Sequence, residues 1–202
     1  MTDIMALDIE TSNYSYEIGG WSNKALFDTS VVATWDGEEA HIFTKEDIDV
    51  EGATVHPLHP RDLGDHLQNH IEKGGQILGH NLFGFDLPVL RDSLDCWAAG
   101  DIMQKKEKVI DTKNLVATAS VSKGKVETSL QSLVSQTLGM SKSMSSVDAP
   151  KAWREGKFTE VAKYCLKDAK LTYDLYSHGK DTGIVKSRSL ESGDIVEIEV
   201  EW

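Results

Sequence analysis

The stretch Ile4-Met5-Ala6-Leu7-Asp8-Ile9-Glu10-Thr11 decides how the rest of the chain is read. It has the composition of a buried strand that ends by projecting two carboxylates. Side chains two residues apart share a face of a strand, so Asp8 and Glu10 point one way while Leu7 and Ile9 point the other. Two like charges at adjacent same-face positions repel. Without a cation between them they destabilise the strand or one takes up a proton, and a divalent metal is the common remedy. A solvated acidic end on an edge strand has the same pattern, so the stretch establishes a strand before it establishes a use.

Working outward, residues Ser12 to Thr29 are rich in Ser, Asn, Tyr and Gly without a period, which predicts a loop lying over the end of this strand. Val31 to Trp35 and Glu39 to Phe43 flank Asp36-Gly37-Glu38, a hairpin expected to extend the sheet in antiparallel fashion. Leu63, Leu67 and Ile71 recur at a helical period between Arg61 and Lys73, and Gln76 to Gly79 is a short strand. A helix is predicted from Asp86 to about Trp97, then a short strand at Val109-Ile110 ending in Asp111. A further helix runs from Ser129 to Leu138, stopped by Gly139. Met140 to Pro150, rich in serine, is expected as a surface loop. The last helix, from Phe158 to about Tyr176, precedes a terminal hairpin formed by Gly183 to Val185 and Asp194 to Glu201. A hairpin followed by alternating helices and short strands predicts an α/β fold with a mixed central sheet flanked by helices.

The chain has 202 residues, 40% of them apolar, which suits a single domain over residues 1–202 with a substantial core. No stretch is long and apolar enough to span a bilayer, and no basic segment precedes an apolar run near the start. The expectation is a cytoplasmic protein without a membrane partner. Cys96 and Cys165 lack paired spacing, so they suggest neither a disulfide framework nor a zinc ribbon and are expected as half-buried helix residues. The formal net charge of −12 argues against non-specific attraction to a phosphate backbone. Between Met103 and Lys170, however, basic residues outnumber acidic ones, which leaves room for a basic face.

Two more short patterns carry chemistry. In Asn81-Leu82-Phe83-Gly84-Phe85-Asp86 a loop leads into a helix at Asp86, where an Asp can also serve as a cap. In Tyr164-Cys165-Leu166-Lys167-Asp168 the tyrosine and the aspartate lie one helical turn apart on one face. Asp111, at the end of a predicted strand, is either an accessory acid or another helix cap.

Taken in order, Asp8/Glu10, Asn81 to Asp86 and Tyr164/Asp168 resemble the three exonuclease motifs of the DEDD superfamily. The tyrosine marks the DEDDy branch, which is similar to the proofreading domains of family B DNA polymerases. The resemblance implies a ribonuclease-H-like fold and a 3′-to-5′ exonuclease that releases nucleoside 5′-monophosphates from single-stranded nucleic acid, with DNA favoured over RNA. It also implies that Asp8, Glu10, Asp86 and Asp168 hold two divalent ions, Mg²⁺ or Mn²⁺, as hard oxygen ligands suit. Tyr164 matches the residue that positions the attacking water. Thr11, Asn81 and Phe85 match positions that contact the terminal nucleotides. No polymerase domain accompanies these motifs, so the chain is expected to act alone or to borrow substrate affinity from a protein partner.

Two other readings remain at this point. One is a nucleic-acid-binding module that keeps the fold without catalysis. The other is a zinc-dependent hydrolase built on His56, His59, His66 and His70, with Asp62 or Asp65 as its base, because His66 and His70 are one helical turn apart. Against zinc, His56 and His59 flank prolines, and the helix histidines are expected on its wet side.

Overall fold

The computed structural model describes residues 3–140 and 147–202. At its centre is β1 (Ile4–Thr11), buried along nearly its whole length. Its two faces separate as the alternation demands. Met5, Leu7 and Ile9 enter one apolar cluster, whereas Ala6 joins another that includes Ala169. The antiparallel neighbours β2 (Thr29–Trp35) and β3 (Ala40–Thr44) follow, with β4 (Thr54–Pro57) parallel at the far edge. On the other side β5 (Gln76–Gly79) and β6 (Val109–Asp111) run parallel to β1. The sheet order is β4-β3-β2-β1-β5-β6, a mixed six-stranded sheet.

The hairpin turn forms where expected. Asp36 Oδ1 accepts hydrogen bonds from the amides of Glu38 (2.9 Å) and Glu39 (2.7 Å). Gly37 sits at φ 103°, and a Cβ there would come within 2.7 Å of the Tyr173 hydroxyl, so only glycine fits.

Helices cover both faces. On the Leu7/Ile9 side lie α1 (Pro60–Glu72), α2 (Asp86–Ser93) and α3 (Trp97–Gln104). Their Leu63, Leu67, Leu90 and Ile102 join the cluster around β1. On the Asp8/Glu10 side α6 (Ala149–Arg154) and α7 (Phe158–Thr182) bury Trp153, Val161 and Cys165 against Val31 and Ile42. Beyond the sheet edge, α4 (Thr112–Ala119) and α5 (Leu130–Leu138) pack with a separate antiparallel pair, β7 (Ile184–Arg188) and β8 (Ile195–Glu199). Among the described residues, no helix is long and apolar enough to cross a membrane.

Several elements differ from the sequence reading. The helix predicted from Asp86 to about Trp97 ends at Ser93, and a separate helix begins at Trp97. Asp95 adopts φ 56°, a conformation that a short polar side chain tolerates, and the Cys96 amide reaches back to Leu90 O (3.0 Å), which turns the chain. The helix starting at Phe158 runs on to Thr182, where Gly183 at φ 72° ends it. Both cysteines are fully buried and free, and Cys96 precedes α3 instead of lying within a helix. Of the loop expected from Met140 to Pro150, residues 141–146 lie outside the described residues, while Ala149 and Pro150 already open α6.

Candidate active site

The parallel strands β1, β5 and β6 all present their C-terminal ends at one edge, the position where open α/β sheets place ligands. Glu10 lies one residue before the end of β1, Asp111 closes β6, and the loop after β5 carries Asn81 to Phe85. Helix α7 crosses the same edge and brings Tyr164 and Asp168. Asp8, Glu10 and Asp168 each offer a carboxylate oxygen, and these atoms lie within 4.8 Å of one another. This is the only convergent set of three or more His, Cys, Asp or Glu donors among the described residues.

Position along α7 is fixed from beneath. The Cys165 thiol donates to Asp8 O (3.3 Å), and the Thr172 hydroxyl donates to Asp168 O (2.9 Å). The first of these ties α7 to β1 beside Asp8, so the helix cannot slide along the strand without losing it, while the second lies within the helix and holds the Asp168 carbonyl. Tyr164, only 1% exposed, hydrogen-bonds Asp168. Burial, and then the charges of Asp168, Glu10 and Asp8, hold its phenol well above the ordinary tyrosine range. It stays protonated at any physiological pH.

Asp86 is the first residue of α2, after Phe85 at the N-cap position. It lines the same cavity but stands outside the convergent set. Burial pushes its carboxyl up to about 7, opposed by its own amide, with the charge of Asp111 adding to the rise. Asp111, by contrast, is a cap and a clamp. Its oxygens accept from the amides of Asn81 (2.9 Å) and Phe83 (3.1 Å), and from Asn114 at the start of α4. It thereby holds Asn81 in a left-handed conformation, φ 81°. The Asn81 side chain in turn accepts from Lys113 Nζ (3.3 Å).

The cavity above the carboxylates has a volume of about 630 Å³. Thr11, Asn81 and Phe85 all line it, together with Asp8, Glu10, Asp86, Tyr164 and Asp168. What the sequence reading missed is the opposite wall. Residues 12–28 form two 3₁₀ turns that carry Tyr14, Tyr16, Trp21 and Phe27 into the cavity lining. Arg154 of α6 braces this segment: its guanidinium donates to Glu17 (2.8 and 2.6 Å) and to Ser12 O (2.8 Å). That pairing holds the Glu17 carboxyl down at about 2. Four aromatic residues within a stretch lacking any strand or helix period were the available signal, although Phe27 is itself buried in the core around β1.

The histidines do not form a common site. His59 is exposed beside Asp62, and His70 contacts Gln76 O (3.2 Å). His56 pairs with His41 (3.0 Å) and His66 with Thr34 (3.0 Å). The expectation that the helix histidines face water is also incorrect, because His66 and His70 are both half-buried against the sheet. No protein-family model matches the chain, and no curated protein matches it.

Proposed function

We propose that the chain is a 3′-to-5′ exonuclease of ribonuclease-H-like fold that hydrolyses the terminal phosphodiester of single-stranded nucleic acid. The observation that carries this reading is the convergence of Asp8, Glu10 and Asp168 within 4.8 Å at the C-terminal edge of a parallel strand set. The donor set fits the group it would hold: every converging atom is a carboxylate oxygen, the ligand type hard divalent ions prefer. Asp86 borders the same cavity as a fourth carboxylate. When bound, Mg²⁺ or Mn²⁺ supplies charge that activates water and stabilises the oxygens of an in-line displacement at phosphorus.

The remaining work falls to this chain's own groups. Tyr164, kept protonated, cannot take the proton of the attacking water and acts by hydrogen bonding alone, orienting that water beside Asp168. Asn81, Thr11 and Phe85 line the space where the terminal nucleotide lies. A second reading, a binding module without catalysis, draws on the position of Asp86 outside the convergent set.

One experiment separates them. End-labelled single-stranded DNA and RNA are incubated with Mg²⁺, Mn²⁺ or EDTA, and the products resolved by length. The exonuclease gives a ladder shortened from the 3′ end, stopped by chelation and by a blocked 3′ end. Rapid cutting of a circular single strand sinks the assignment, and binding without any cleavage favours the second reading.

A further inference from the structure

We propose that residues 12–28 form a base-stacking wall, with Trp21 and Tyr16 as its contact residues, through which this acidic protein holds unpaired nucleic acid by its bases more than by its phosphates. The inference rests on the exonuclease reading for the identity of the ligand. It adds where affinity comes from.

The geometry is that of a platform left open. Tyr16 is 74% and Trp21 64% exposed, although each borders the cavity that ends at the carboxylates. Large flat side chains held at such exposure lose hydration free energy that burial against a ligand recovers. They are ordered in advance. The Tyr14 and Tyr16 rings stack at 5.0 Å and 14°. Trp21 meets Phe85 edge-on at 5.5 Å, and Phe27 meets Phe85 at 5.1 Å. The Arg154 brace fixes the segment to α6, so little ordering remains to oppose binding. Lys24 Nζ stands 5.0 Å from the Phe85 ring centroid and Lys113 lines the cavity, ammonium groups suited to a phosphate between two stacked bases.

Charge weakens the usual alternative. With a net charge of −12 and carboxylates on the cavity floor, long-range attraction to a phosphate backbone is weak. Affinity that comes from π faces works under those conditions. It accepts any base, and each stacked base contributes roughly 1–3 kcal/mol. A base-paired end has its faces already stacked, so the wall selects unpaired ends.

The test is binding in EDTA, where cleavage plays no part and failure of the exonuclease chemistry leaves the outcome untouched. Fluorescently labelled oligonucleotides of equal length, one with ordinary bases and one abasic throughout, are titrated by anisotropy in DNA and RNA versions. The base-bearing strands are expected to bind at least tenfold more tightly than the abasic ones. Their affinity should fall only a few-fold between 50 and 200 mM salt. Trp21→Ala should weaken binding on the order of 5- to 150-fold, and Trp21→Phe should restore most of it. Trp21 is exposed enough that neither change endangers folding. Equal binding of base-bearing and abasic strands, no measurable binding of either, or wild-type affinity in Trp21→Ala overturns the proposal.

Discussion

Tyr164 shows how much a single side chain's surroundings restrict its chemistry. A phenol with an ordinary pKa near 10 is already a poor base at neutral pH, and here burial and three neighbouring carboxylates move it further in the same direction. Its use is therefore confined to the hydrogen bond, and Tyr164→Phe isolates that bond. The ring keeps its packing, so the fold should survive with a melting temperature close to wild type. The rate should not: a positioning contact made mainly in the transition state is commonly worth about 10²- to 10³-fold in kcat with little change in KM. Single-turnover cleavage by the two proteins, compared at saturating oligonucleotide, measures this directly. Cleavage at the wild-type rate would make Tyr164 a packing residue and remove the basis for the DEDDy assignment, even if the carboxylates still hold metal.

At the scale of elements, the histidines on β3, β4 and α1 make a stability switch that the sequence pattern pointed away from. His66 packs against His41 (ring centroids 4.8 Å) and Phe43 (5.3 Å), and His56 stacks on the same two rings. Burial, and then the charge of His41, His56 and His70 when protonated, lowers the His66 pKa to about 4, with Asp36 opposing. Asp62 and Glu39 face His56 and His41 in the same neighbourhood. The sign follows from the proton count. Between about pH 6.5 and 4 the unfolded chain binds a proton at His66 that the folded chain does not, so stability falls as pH falls through that window. At about 1.4 kcal/mol per pH unit, the loss from pH 7.5 to 5 is at most about 2 kcal/mol. Urea denaturation of wild type and His66→Gln at both pH values should show this increment in wild type alone; equal pH dependence in the two proteins contradicts it. The periodic spacing of Leu63, Leu67 and Ile71 did reveal α1. What it could not reveal is that β4, only four residues long and carrying Pro57, would pair at the sheet edge and turn the histidines inward. The same limit explains the break after α2, because nothing in the local pattern marks Asp95 as left-handed. The motif residues were legible for the opposite reason: strand alternation and the four-residue helical spacing fix the faces of Asp8, Glu10, Tyr164 and Asp168 before any tertiary contact is known.

For the whole molecule, the consequence of the sheet order is that like charges are gathered from distant parts of the chain. Folding brings Asp168 of α7 to Asp8 and Glu10 of β1 in a protein whose formal net charge is already −12. That work is done against repulsion, and an ion that binds the folded chain and not the unfolded one returns it by mass action. A hundredfold excess of Mg²⁺ or Mn²⁺ over its dissociation constant should stabilise by about 2.7 kcal/mol. For a chain of this length that corresponds to a rise of roughly 5–10 °C in melting temperature. General screening of an acidic protein also stabilises it, so the control is a monovalent salt at matched ionic strength, which should give a smaller rise. Asp8→Asn supplies the second control. It removes one ligand and one repelling charge together, so it should lose most of the divalent-specific gain while melting no lower than wild type in EDTA. Differential scanning calorimetry of both proteins in EDTA, monovalent salt and each divalent ion gives the comparison without reference to any nuclease activity. If wild type gains nothing from divalent ions beyond the monovalent control, the three carboxylates do not form a preformed ion site, and their convergence needs another explanation.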